Sequence, residues 1–125
     1  MSEKPSCACG TAPKLTYPCS GSADVGALAD LAARQLARAG SGKMSCLAGI
    51  GGRVSGFLAS TESAAKVLVM DGCPLNCAKK TLELAGFSGF EHLCLADLGF
   101  QKGQSPATPE NVAKVAQAAA PKLAC

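Results

Sequence analysis

Lys66-Val67-Leu68-Val69-Met70-Asp71, followed by Gly72-Cys73-Pro74-Leu75-Asn76-Cys77, is the stretch that decides the fold. Its first six residues have a continuous apolar, partly β-branched centre, which reads as a strand covered on both faces. Pro74 suits a first helical position, where its missing N–H costs nothing. A helix from Pro74 would turn Leu75, Ala78, Leu82 and Ala85 inward and stop at Gly86. A buried strand leading directly into an amphipathic helix is the repeating piece of a parallel α/β sheet.

The same piece recurs on either side. Leu15-Thr16-Tyr17 is a short strand ending at Cys19, with Ser22 as N-cap of a helix carrying Val25, Leu28, Ala29, Ala32 and Leu36 up to Gly40. Met44 to Leu47 reads as a second, weak strand around Cys46, and a short helix with Val54, Phe57 and Leu58 follows. His92 to Asp97 is a fourth strand, and Thr108 caps a last helix from Pro109. Strand and helix thus alternate four times. The expected fold is α/β, a single three-layer domain with a four-stranded, mostly parallel sheet, Rossmann-like, in the order 2-1-3-4. Residues 14–125 form that domain, and 1–13, which carry Cys7 and Cys9, read as a flexible tail.

The cysteines keep step with these units. Cys19 and Cys46 are 27 positions apart, and so are Cys46 and Cys73. That is about the length of one strand–helix unit, so all three fall just past the end of a strand. The carboxyl ends of parallel strands share one edge, where open α/β sheets hold their ligands. Cys77 follows Cys73 by four positions, and on a helix from Pro74 it would lie near the same centre. The positive end of that helix favours negative charge nearby. Such charge calls for compensation, expected from backbone N–H groups of the three turns, with Arg53 and Lys80 adding to it. Cys94 reads as core, and Cys125 as incidental. His92, the one histidine, is expected at the edge opposite the thiols, which leaves no Ser/His/Asp hydrolase arrangement.

Composition narrows the chemistry. The 125 residues hold eight cysteines, no Trp, and a formal charge of +3. Four thiolates would reverse the sign of that charge, and no aromatic-basic patch accompanies the scattered lysines, so no nucleic-acid partner is expected. No apolar run approaches the ~20 residues of a membrane span, and the first residues lack the apolar core of a signal peptide. No membrane is expected, and the chain is read as cytoplasmic, where clustered cysteines mean metal or redox chemistry more often than disulfides. Two nucleotide motifs fail. Gly40-Ser41-Gly42-Lys43 has Ala37 where a phosphate-binding loop needs Gly, and Gly49-Ile50-Gly51-Gly52-Arg53-Val54 lacks the third Gly of a dinucleotide fingerprint.

Three strings carry a resemblance: Tyr17-Pro18-Cys19-Ser20-Gly21, Ser45-Cys46-Leu47-Ala48-Gly49-Ile50-Gly51-Gly52, and Asp71-Gly72-Cys73-Pro74-Leu75-Asn76-Cys77-Ala78-Lys79-Lys80. Together they resemble the DGC-domain family, named for the Asp-Gly-Cys string and described as zinc-binding proteins of bacteria and archaea. The resemblance spans roughly Leu15 to Lys102. It implies that Cys19, Cys46, Cys73 and Cys77 are metal ligands, with a metal ion as partner.

Four thiolates select soft ions, and a tetrahedral zinc is the first reading. An iron–sulfur cluster fits the same ligand set. The alternative class is a thiol-redox protein, with Cys73 as nucleophile and Cys77 as resolving thiol.

Overall fold

The computed structural model describes residues 12–124. In chain order the elements are β1 (Lys14–Pro18), α1 (Asp24–Arg38), β2 (Lys43–Met44), α2 (Leu47–Gly51), α3 (Ser55–Ser63), β3 (Lys66–Asp71), α4 (Cys77–Leu84), β4 (Glu91–Cys94), a 3₁₀ turn (Leu95–Leu98) and α5 (Pro109–Leu123). The four strands form one sheet in the order β2-β1-β3-β4, and every pairing is parallel. The expected α/β architecture and strand order are both present.

Strand periodicity divides the core into two layers. Leu68 and Met70 of β3 face α1 and α5, where they meet Leu28, Ala32, Val115 and Ala119. Val69 faces the other way and packs with Leu15, Tyr17, Ile50 and Leu82. The small inner residues of α1 (Ala29, Ala32 and Ala33, all fully buried) let that helix lie close on the sheet. Tyr17 is fully buried too, and its hydroxyl bonds to Thr61 Oγ1, so its polar end is satisfied inside an apolar layer.

Several boundaries differ from expectation. The β2 strand ends at Met44, and Cys46 occupies the position that starts α2. The fourth strand runs from Glu91 to Cys94 and then tightens into the 3₁₀ turn. Ala23, not Ser22, precedes α1 and offers no side-chain cap. Asp24 takes over that work, accepting from its neighbour Val25 N–H at 2.8 Å. Thr108 does cap α5, accepting from Asn111 N–H at 3.2 Å.

The largest correction concerns α4. It begins at Cys77, three residues later than the proline suggested, because Asn76 is left-handed with φ of 56°. A residue in that region breaks helical continuity. Cys73 therefore sits in a turn ahead of the helix, and Leu75, expected inside, is 59% exposed.

Candidate functional site: a thiol edge

The carboxyl ends of β1, β2 and β3 deliver Cys19, Cys46 and Cys73 to one edge of the sheet. Cys19 packs against both core layers, so it stands at the meeting point of the two. Cys19, Cys73 and Cys77 line a single cavity of ≈190 Å³, together with Asp71, Gly72 and the first turn of α1. Cys46 lies elsewhere: with Cys19 it lines a broader cleft of ≈840 Å³. Cys19 is the wall common to both spaces. All four thiols are free; Cys46 and Cys77 are exposed, Cys19 and Cys73 partly covered. Among the described residues, no three His, Cys, Asp or Glu side chains converge closely enough to hold an ion. Cys7, Cys9 and Cys125 lie outside the described residues.

The Asp-Gly-Cys string has a separate physical task at each position. Asp71, 1% exposed, accepts from Ala78 N–H at 2.7 Å and Lys79 N–H at 3.1 Å. These are N–H groups that the first turn of a helix leaves unpaired. Gly72 passes directly beside α1: a Cβ there would lie 2.7 Å from the backbone of Val25, so no larger residue fits. The Gly72 N–H also points to Cys19 Sγ at 3.4 Å, which joins the turn after β3 to the thiol after β1. Cys73 then lines the cavity.

Neighbouring groups set the charge of the edge. Asp30, beside Cys19 and Cys46 in the cleft, is pulled upward by burial. Hydrogen bonds from Arg34 and Ser20 more than offset this and leave its carboxyl below the usual value. Burial pushes the Cys94 thiol up, and the charges of Asp97 and Asp71 push the same way. Cys94 is buried, as a core residue should be.

Arg53 does not compensate the thiols. Its guanidinium donates to the carbonyls of Ile50 at 2.9 Å and Leu84 at 3.1 Å, tying the ends of α2 and α4 together. The cation that lines the Cys73 cavity is instead Lys102. It is carried on a loop fastened to α1, since Asp24 accepts from Gly103 N–H and Ser105 N–H, both at 2.9 Å. Those bonds hold the Asp24 carboxyl below its usual value. No spacing rule points to Lys102 in the sequence, because it depends on how that loop folds back.

His92 is also not where the sequence suggested. It is the second residue of β4, paired in register with Val69, and its Nε2 lies 2.9 Å from Asp71 Oδ2. Asp71 is its diagonal neighbour, two residues along the adjacent strand, a distance a ring can span. The imidazole therefore reaches up to the thiol edge from below.

A profile of the DGC domain matches residues 15–119. The chain belongs to the DGC domain family. Within the described residues, this member of the DGC domain family has no helix long and apolar enough to cross a membrane. Among curated proteins it is similar to the anaerobic and virulence modulator AnvM of Pseudomonas aeruginosa, with 40% identity over 88 residues, which covers 70% of this chain and 67% of the relative. No solved structure matches it.

Proposed function

We propose that this DGC-domain protein binds a soft metal ion, zinc, at the carboxyl edge of its sheet, with Cys19, Cys46, Cys73 and Cys77 as ligands, in the reducing setting of the cytoplasm. The observation that carries the reading is the shared cavity: thiols from β1, the β3 turn and the start of α4 line one small space. The donor set fits, because an all-sulfur set selects soft ions over hard ones. A second feature agrees: Asn76 Oδ1, in the turn between Cys73 and Cys77, is buried without a hydrogen-bond partner among the described residues. An orphaned buried oxygen marks a place where a bound group or ordered water belongs. When bound, zinc would supply a closed tetrahedral centre with no open position for hydrolysis. In this reading the side chains of all four cysteines turn inward on binding, Cys46 from across the cleft that it shares with Cys19.

A second reading rests on the two thiols that bracket the turn before α4. Cys73 as nucleophile and Cys77 as resolving thiol, both free and lining one cavity, suit a thiol-redox site in which the two sulfurs form a disulfide while an oxidant takes up two electrons and two protons. The name of AnvM, an anaerobic and virulence modulator, agrees with chemistry that responds to oxygen supply. An iron–sulfur cluster on the same four cysteines is the remaining form of that reading.

One experiment separates these. The protein is purified without air and examined by elemental analysis and visible absorption. One zinc per chain, lost on Cys→Ser substitution at 19, 46, 73 or 77, is the expected result. A brown, iron-containing sample would replace zinc with a cluster. A metal-free sample with a titratable disulfide would move the conclusion to redox chemistry.

A further inference from the structure

We infer that His92, which touches none of the thiols' cavities, is the positioning residue for Cys77, acting through Asp71. This rests on the reading of Cys73 and Cys77 as working thiols, and it adds how their spacing is held.

The α4 helix has an unusual start. Its cap residue, Asn76, is left-handed and makes no side-chain cap bond. The first hydrogen bond into the helix is Lys80 N–H to Asn76 C=O at 2.9 Å. Cys77, Ala78 and Lys79 are thus the N–H groups left free at this end. Two of the three are accepted by Asp71, which belongs to the preceding strand and not to the turn. One carboxylate therefore closes the ring that runs Asp71-Gly72-Cys73 through Asn76 and Cys77 to Ala78. Its first member lies two residues before Cys73, and its last lies one residue after Cys77. Whatever fixes that carboxylate fixes the separation of the two thiols.

The carboxylate has a lateral support. Oδ1 is occupied by Ala78, while Oδ2 accepts from Lys79 and also lies 2.9 Å from His92 Nε2. Since a carboxylate oxygen accepts, Nε2 is the donor. The Asp71 side chain is 2% exposed and that of His92 22% exposed, so water competes little at the carboxylate. The imidazole comes from β4, a different strand, and stops the carboxylate from rotating about its side-chain bonds. A residue that orients an inner group through a charged hydrogen bond is the device that metal sites use to orient their ligands, where its loss costs about tenfold or more in affinity. Here the oriented group is a helix start carrying a thiol.

The test compares two thiols within one molecule. Metal-free protein is labelled with iodoacetamide, and the rates at Cys77 and Cys46 are read by peptide mass analysis. Wild type, His92→Leu and His92→Gln are compared well below their unfolding temperatures. The expected result is a severalfold change in the Cys77 rate in His92→Leu, with Cys46 unchanged and the wild-type rate recovered in His92→Gln, which can again donate to Asp71. Zinc affinity, measured on the same three proteins, should fall by about tenfold in His92→Leu and recover in His92→Gln. An unchanged Cys77 rate in His92→Leu would overturn the inference, as would an equal change at both cysteines. If wild type bound no zinc, the metal reading would fail, and the labelling ratio would still decide the role of His92.

Discussion

The turn from Asp71 to Cys77 and the segment from Met44 to Gly51 both bring a cysteine to the same edge, yet they are built differently. The first is pinned: a buried carboxylate holds its far end, Gly72 lies against α1, and its N–H reaches the sulfur of Cys19. The second follows a strand of two residues and leads into a helix of five whose cap residue, Cys46, makes no side-chain cap bond. Its cysteine stands across an ≈840 Å³ cleft. The contrast teaches that one side of the thiol edge is held by bonds from a buried side chain, while the other rests on backbone bonds and on the packing of Ile50.

Removing the pin should break this contrast most strongly. Asp71→Ala orphans two backbone N–H groups and the His92 ring, and should cost about 3 kcal/mol of stability, read by denaturant unfolding. A loss below about 0.5 kcal/mol, the level of an ordinary surface change, would mean that the turn is not held as described. Gly72→Ala should come next, at about 2 kcal/mol, because its new methyl meets backbone that has no flexible end to yield.

How much of this was legible in the sequence depends on the range of the interaction. Alternating strand and helix signals carry the parallel α/β class and the edge that receives Cys19, Cys46 and Cys73, whereas the order 2-1-3-4 is one of several that right-handed crossovers allow and is not selected by local periodicity. The α4 start is not legible locally, because Pro74 is a strong helix signal, whereas the left-handed Asn76 is followed by a helix start that a strand residue caps. The roles of Asp71 and His92 needed the register of β4 against β3, which no spacing within one segment reveals. Proximity in sequence points Arg53 to the thiols, while carbonyls at two helix ends hold it.

A smaller effect sharpens the comparison through pH. Asp24 fastens the Lys102 loop, and hydrogen bonds from Gly103 and Ser105 hold its carboxyl below the ordinary 3.8. A lowered folded value means that its contribution is complete above the unfolded value and is lost as pH falls through the lower folded one. Asp24→Asn should therefore flatten the acid limb of a stability-against-pH curve below about pH 4. An unchanged limb would detach this carboxylate from the loop. The smallest effect is expected on the loose side: Cys46→Ser in metal-free protein should change stability by less than about 0.5 kcal/mol, and a larger loss would show that this segment is packed more firmly than its short elements suggest.

The central claim is that a pinned set of three thiols and a loose fourth form one site. Differential labelling tests it most directly: each cysteine is alkylated with and without one equivalent of zinc, and protection is read residue by residue. The account predicts that Cys19, Cys46, Cys73 and Cys77 become protected together at the same zinc concentration, with Cys46 showing the largest change. Protection of Cys19, Cys73 and Cys77 with Cys46 still labelled at its metal-free rate would contradict it.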